Sequence, residues 1–93
     1  MIVGILQLEL RMSGCHSLKE KRMILKSLKD RLRQKFNISI SEIGLQDAWQ
    51  GEVLGMDAIG TDKGYVEGLL SSILNWVEAD HSAELVSSHT EIL

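Results

Sequence analysis

The first twelve residues alternate between apolar and polar side chains, and no other feature constrains the fold as strongly. The apolar side chains of one parity are Leu6, Leu8, Leu10 and Met12. A period of two places every second side chain on the same face of an extended chain. We therefore predict a strand over residues 2–12 with one face on a core.

A helical pattern follows at once. Ser17 and Glu20 have the spacing of a capping box, in which the two side chains satisfy free backbone N–H groups at a helix start. The next apolar residues gather within an arc of about 120° on a helical wheel, as a core-facing stripe does. They are Leu18, Ile24, Leu25, Leu28, Leu32 and Phe36. The pattern predicts a helix over residues 17–36.

The rest of the chain contains three further strand patterns and a second helical pattern. We predict strands over residues 37–45, with a bulge where the parity shifts at Ile43, over 53–59, and at the edge of the sheet over 84–93. The second helix begins after Thr61 or Asp62 and extends to about residue 79. The order βαββαβ is that of the ferredoxin-like α+β sandwich, a four-stranded antiparallel sheet with two helices on one face.

Length and composition set further bounds. With 93 residues, the chain has room for one core, so we expect a single domain over residues 1–93. A lone cysteine, Cys15, and the absence of a basic leader favour the cytoplasm, and no apolar run is long enough to cross a membrane. Three scattered histidines and one cysteine predict neither a metal site nor a cofactor.

Charge is distributed unequally between the two parts of the chain. Residues 1–36 hold nine of the ten Lys and Arg residues and three acids, whereas residues 37–93 hold ten acids and a single Lys. Five cations of the first helix fall in a strip of about 80° on the helical wheel, which we call the basic ridge. The basic ridge consists of Lys19, Arg22, Lys26, Lys29 and Arg33.

A row of like charges needs a counter-charge. Phosphates of an RNA would supply one, with counterion release as the source of affinity. The alternative is a solvated helix face, or one neutralised by the acidic part of this chain or of a second subunit. The sequence favours a non-enzymatic protein that binds RNA or a ribosomal particle through the basic ridge, with neutralisation left open.

A second hypothesis is a small-anion or nucleotide site, in a sensor or an enzyme. In the predicted topology, the loop after the first strand, the loop between the second and third strands and the exit from the second helix lie at the same end of the molecule. The candidate residues of this loop site are His16, Ser17, Lys21, Gln46, Asp47, Trp49 and Gln50. Ser17 and Glu20 also compete for the helix N-terminus as caps, and Trp49 fits base stacking or packing over the core.

A third hypothesis is a homodimeric scaffold. The sheet face away from the helices is predicted to carry Val3, Ile5 and Ile59 near one end. An exposed apolar patch on an open sheet fits a two-fold dimer, and three scattered apolar surface residues are the alternative.

Two segments resemble the signatures of the YlxP-like family, a bacterial domain of unknown function. They are Gly14-Cys15-His16-Ser17-Leu18-Lys19-Glu20-Lys21-Arg22 and Gln46-Asp47-Ala48-Trp49-Gln50. The resemblance implies a ferredoxin-like domain of about this length and a link to ribosomes or RNA. It implies no catalytic residues.

Overall fold

The computed structural model describes residues 1–44, 48 and 50–93. In that part of the chain, six elements follow one another in the predicted order. They are β1 (Ile2–Arg11), α1 (Leu18–Lys35), β2 (Ser39–Gly44), β3 (Gly51–Gly60), α2 (Lys63–Ala79) and β4 (Glu84–Ile92). Compared with the sequence prediction, β2 begins two residues later and β3 two residues earlier, and β3 pairs with β1 along its whole length.

The four strands form one antiparallel sheet in the order β2-β3-β1-β4. Each helix connects two strands that are not neighbours, α1 from β1 to β2 and α2 from β3 to β4. This is the ferredoxin-like arrangement, so the predicted fold and the edge position of β4 are confirmed. The predicted bulge in β2 is also confirmed, since the register against β3 shifts between Glu42 and Gly44.

The helix starts have local causes that the sequence indicated. The Ser17 hydroxyl accepts a hydrogen bond from the Glu20 N–H at 3.1 Å. The Glu20 carboxylate in turn accepts from the His16 N–H at 2.9 Å, one residue before the position that a standard capping box uses. Asp62 caps α2 by accepting from the Tyr65 N–H at 2.9 Å. Both caps satisfy donors that a helix leaves free.

The core lies between the helices and one face of the sheet. Its members are Leu6, Leu8, Leu10, Met12, Cys15, Leu25, Leu28, Leu32, Leu54, Met56, Ala58, Leu70, Ile73 and Val77. On β1, the buried residues from Leu6 to Met12 all have the predicted parity. Gly4 continues that parity where α2 approaches most closely, because a Cβ there would lie 2.5 Å from Val66 Cγ1. A glycine at residue 4 thus allows α2 to pack against the central strand.

The described helices include none that is both long and apolar enough to span a lipid bilayer.

Candidate nucleic-acid interface

The basic ridge runs along α1, but its five cations have different surroundings. Lys19, Arg22 and Lys26 are exposed, and Lys26 retains 79% of its side-chain accessibility. Arg33 is also exposed, whereas Lys29 retains only 19%. The basic ridge is therefore interrupted at Lys29, whose side chain reaches Glu42 in β2.

Asp30 forms an ion pair with one cation on each side of Lys29. Its carboxylate lies 2.9 Å from Lys26 Nζ and 3.7 Å from Arg33 Nη1. The hydrogen bond from Lys26 is the largest influence on the Asp30 carboxyl and holds its pKa below the ordinary 3.8. Asp30 is thus ionised at neutral pH and partly neutralises both Lys26 and Arg33.

Three cations of α1 are neutralised by acids of the second half of the chain. Lys29 Nζ lies 2.6 Å from a Glu42 carboxylate oxygen in β2. The other two ion pairs are Lys21 with Glu52 and Arg31 with Asp80. The alternative in which acids of the same chain neutralise the helix is therefore correct for these three cations.

Five cations of α1 remain on the exposed surface. They are Lys19, Arg22, Lys26, Arg33 and Lys35. The acids of α1 are Glu20 and Asp30, so this surface has a surplus of three positive charges. Within the described ranges, Lys19 and Arg22 make no ion pair.

Arg31 attaches α1 to the end of α2. Its guanidinium lies over the Trp76 ring, 5.5 Å from the centroid, and donates to the carboxylate of Asp80 and to the Ser82 hydroxyl. Burial by itself would raise the pKa of Asp80, but the hydrogen bonds from Ser82 and Arg31 and the charge of Arg31 hold it below 3.8. Trp76 is partly buried and packs against the core.

Lys21 and Glu52 form an ion pair inside the core. Their exposed fractions are 2% and 0%. Lys21 Nζ lies 3.4 Å from Glu52 Oε1 and donates a hydrogen bond to the Ala48 carbonyl at 2.7 Å. Glu52 Oε2 accepts from the Val53 N–H at 3.2 Å, and Oε1 has no hydrogen-bond partner among the described residues. This contact connects α1 to β3 and to the loop before it.

Glu42 and Glu52 lie close enough for a hydrogen bond between their carboxyl groups. Burial raises the pKa of Glu52 above its ordinary 4.5, although the Lys21 charge opposes the effect. The pKa of Glu42 is lowered, first by the hydrogen bond from Lys29. Glu52 is therefore the partner that takes up a proton first as pH falls. We call Lys21, Lys29, Glu42 and Glu52 the ionic cluster.

Lys21 lies in the ionic cluster rather than on the surface of the predicted loop site, and the two glutamates were not among the predicted site residues. Two signals for the ionic cluster were present. Glu52 has the same strand parity as Leu54, Met56 and Ala58, which are core residues. Lys21 falls on the apolar stripe of α1, three residues after Leu18 and four before Leu25. A charged residue of each sign at core positions predicts a buried pair.

The loops of the predicted end of the molecule do meet. Gln50 Nε2 donates to the carbonyls of Ser13 and Cys15 at 3.3 and 3.2 Å, and the Gln50 carbonyl accepts from the Met12 N–H at 2.9 Å. His81 lines a cleft of about 410 Å³ together with residues 11–15. Gln50 therefore holds the β1–α1 loop against the start of β3.

The other residues of the loop site have separate placements. Ser17 is the N-cap of α1, and His16 is exposed beside it. The side chain of Lys21 points into the core rather than toward a ligand. Gln46, Asp47 and Trp49 lie outside the described residues.

The sheet face away from the helices carries the predicted dimer residues. Val3 lies directly opposite Ile59 in the register of β1 and β3, and Ile5 lies opposite Asp57. Ile59 is 61% exposed, and Ile43 is also exposed on this face, over Gly55. A shallow groove of about 300 Å³ crosses β1, β2 and β3. It is lined by Ile5, Gln7, Ser39, Ile40, Ser41, Ile43, Gly55, Met56 and Asp57.

Over the described ranges, the structure has no group of three or more His, Cys, Asp or Glu side chains that could hold a metal ion.

Comparison with known proteins shows that the sequence of this chain matches an established family. A family model described as "Protein of unknown function (DUF503)" matches residues 3–90. The chain is also similar to "Uncharacterized protein YlxP" of Bacillus subtilis (strain 168), with 36% identity over 90 residues. That alignment covers 97% of this chain and 98% of the relative.

Proposed function

Because the chain belongs to the DUF503 family of proteins of unknown function, the similar Bacillus subtilis protein gives no activity to start from, and we propose from the charged surface of this chain that it binds RNA. The RNA is free or part of a ribosomal particle, the binding site is the exposed face of α1, and the protein acts in the cytoplasm without catalysing a reaction. The observation that carries this proposal is the set of five exposed cations against two acids on α1.

The position of these cations supports a phosphate ligand. Acids of the second half neutralise Lys21, Lys29 and Arg31, and each of these pairs also attaches α1 to the rest of the fold. Among the remaining cations, Lys19 and Arg22 make no ion pair with any described residue. Like charges at helical neighbour positions repel, and Lys19, Arg22 and Lys26 are such neighbours. A phosphate backbone offsets this repulsion and releases counterions on binding.

The loop site has less support as a small-anion site. Ser17 and Gln50 already use their side chains to hold backbone groups of the protein. Lys21 is buried in the ionic cluster. His16 is the exposed member of the loop site among the described residues, and a lone exposed histidine gives little affinity for an anion.

The proposal is tested by removing three neighbouring exposed cations of α1. In the triple variant Lys19→Gln, Arg22→Gln and Lys26→Gln, three phosphate contacts are lost. Each contact contributes about 0.9 to the slope of log K against log salt, which is a factor of about 8 at 0.1 M. We expect affinity for RNA to fall about 500-fold at 0.1 M salt and the slope to decrease by about 2.7.

A matched control carries substitutions at exposed cations outside α1. Arg11→Gln with Lys63→Gln removes two cations that pair with Glu84 and Glu67. This control should bind RNA and co-sediment with ribosomal particles as the unmodified protein does. Equal binding by the triple variant and the control would refute the proposal. Lys29 is left unchanged, because its loss would also expose the Glu42 charge to Glu52.

A homodimer through the outer sheet face is a second proposal, favoured by the exposed Ile43 and Ile59 on that face. The expected mass in light scattering is twice that of the 10.4 kDa chain, and Ile59→Asp is expected to halve it. A monomeric mass for the unmodified protein at 100 μM, a concentration well above the Kd of about 1 μM assumed for a standard interface, would contradict this proposal.

A further inference from the structure

The strand β4 forms one edge of the sheet, so its backbone is paired on one side. Within the described sheet, β4 pairs with β1 alone. Leu93, directly after β4, exchanges two backbone hydrogen bonds with Val3, at 2.7 and 3.2 Å. Because backbone groups alternate in direction along an antiparallel strand, the N–H and C=O groups of Ser88, Thr90 and Ile92 point away from β1. These groups are available to another extended chain.

A groove of about 310 Å³ lies beside this free edge, between β4 and α2. Its apolar lining consists of Leu70, which is buried, and of Leu74 and Ile92, which are half-buried. Thr90 and Glu67 are exposed and belong to its polar lining. Thr90 and Ile92 thus contribute side chains to the groove and free backbone groups to the edge.

An extended segment fits this combination of free edge and groove. In strand addition, main-chain hydrogen bonds to the edge give affinity, and pockets for alternate side chains give specificity. A residue placed opposite Thr90 has its side chain on the same side of the sheet as Thr90, which is the side of the groove. Every second side chain of the segment therefore meets the apolar lining. The side chains between them lie on the outer face, beside His89 and Glu91, which are exposed.

The sequence of β4 leaves its edge open to such pairing. Natural edge strands are often protected by Lys, by Pro, by a bulge or by being short. The nine residues of β4 include neither Lys nor Pro. Its register against β1 shifts near the start of the strand, and residues 87–92 pair without a break. The later part of β4 is therefore a regular edge.

Charge specifies the chemistry of the segment. The two elements that border the groove, α2 and β4, contain four acids and a single cation, Lys63. The acids are Glu67, Glu78, Glu84 and Glu91. These carboxylates repel phosphates and attract Lys or Arg side chains. A second copy of β4 would add two further glutamates, so the complementary occupant is a basic segment of another protein.

We propose that the free edge of β4 and the adjacent groove bind an extended basic segment of a partner protein by strand addition. The segment alternates apolar side chains, which enter the groove, with Lys or Arg side chains that lie beside Glu91. The site uses none of the exposed cations of α1. The inference therefore goes beyond the proposed RNA binding and does not depend on it.

The probe is a seven-residue peptide of alternating lysine and valine with blocked ends, titrated into nitrogen-15-labelled protein at 0.1 M salt. We expect saturable binding below 1 mM peptide, with the largest amide shifts at Ser88, Thr90 and Ile92. Two control peptides have N-methylated valines, which cannot donate to β4, or glutamate in place of lysine. Each control should bind at least tenfold more weakly, because it lacks the backbone donors or has the wrong charge.

The variants Thr90→Pro and Glu91→Gln test the edge and its charge. The Thr90 N–H points away from β1, so proline removes a donor of the free edge and no hydrogen bond within the sheet. Peptide affinity should fall at least tenfold in this variant, and thermal denaturation shows that it is folded. Glu91→Gln should lower affinity about threefold. The matched control Glu78→Gln, near the far end of α2, should bind as the unmodified protein does.

Three results would overturn the inference. The first is the absence of binding at 1 mM peptide, or amide shifts that avoid β4. The second is equal affinity for the peptide and either control peptide. The third is a halved mass of Thr90→Pro in light scattering, which would mean that a second copy occupies the edge. The variant with Lys19→Gln, Arg22→Gln and Lys26→Gln should bind the peptide unchanged, so this inference and the proposed RNA binding can fail separately.

Discussion

The ionic cluster makes a quantitative prediction for the variant Lys21→Met. Methionine has nearly the length of lysine without its charge, so the core remains filled. The Glu52 carboxyl, which has 0% exposure, then loses the ammonium group 3.4 Å away. Removing one partner of a buried ion pair costs about 3–5 kcal/mol, because the other charge is left without compensation. We expect a loss of about 3 kcal/mol in the free energy of unfolding at pH 8.

The loss should depend on pH, since Glu52 can bind a proton instead of remaining charged. Burial already raises the pKa of Glu52 in the unmodified protein, and the Lys21 charge opposes this. Without Lys21 the pKa rises further. A group with a raised pKa in the folded state contributes its full stability below the unfolded pKa, near 4.5, and loses it as pH rises through the folded pKa. The cost of Lys21→Met should therefore be small at pH 5 and grow toward pH 8, by at most about 1.4 kcal/mol per pH unit.

Urea denaturation at pH 5, 6, 7 and 8 measures this difference for the two proteins. Adding Glu52→Gln to Lys21→Met is the control, because the amide keeps the shape and a donor toward Glu42 but has no charge. The double variant should be more stable than the single variant at pH 8 and should lack its additional pH dependence. A cost that is the same at all four pH values, or a double variant no more stable than the single one, would refute this account.

Three further variants test other contacts of the fold. Gly4→Ala should lower the free energy of unfolding by about 1–3 kcal/mol in urea denaturation, because the new Cβ would lie 2.5 Å from Val66 Cγ1. Adding Val66→Ala should then lower it further by less than a core truncation normally does, because the shorter side chain makes room for the new Cβ. Arg31→Met should lower the free energy of unfolding by about 1–2 kcal/mol at pH 7. The part of this loss that comes from Asp80, whose pKa is lowered, is present above about pH 4 and disappears as pH falls through the folded pKa. The difference in stability from the unmodified protein should therefore shrink in acid titration. Gln50→Ala should cost about 1 kcal/mol and speed amide exchange in the β1–α1 loop, and unchanged exchange there would contradict the role of its two hydrogen bonds.

Local patterns were sufficient to predict most of the fold. The alternation in β1 and the cap at Ser17 each depend on residues close together in the chain, and the structure confirms them. The bulge near Ile43 could likewise be read from a parity shift. Strand order followed from the sequence of elements, because two split β-α-β units have few ways to form one sheet.

The ion pairs of α1 could not be predicted from the sequence. From the sequence, the cations of α1 formed a basic ridge whose counter-charges were unknown. The partner of Lys21 is 31 positions away and that of Arg31 is 49 positions away, and neither separation has a periodic signal. These pairs depend on how the sheet places Glu52 beneath α1 and how α2 delivers Asp80 beside it.

The sequence by itself determined six elements, their order, the buried faces and the excess of positive charge on one helix. Only the tertiary structure decided which of those charges are available to a ligand. Secondary structure and amphipathic faces arise from interactions between near neighbours in the chain, which a single sequence contains. The neutralisation of a charge depends on a few ångströms between distant segments, and packing of the whole domain sets that distance.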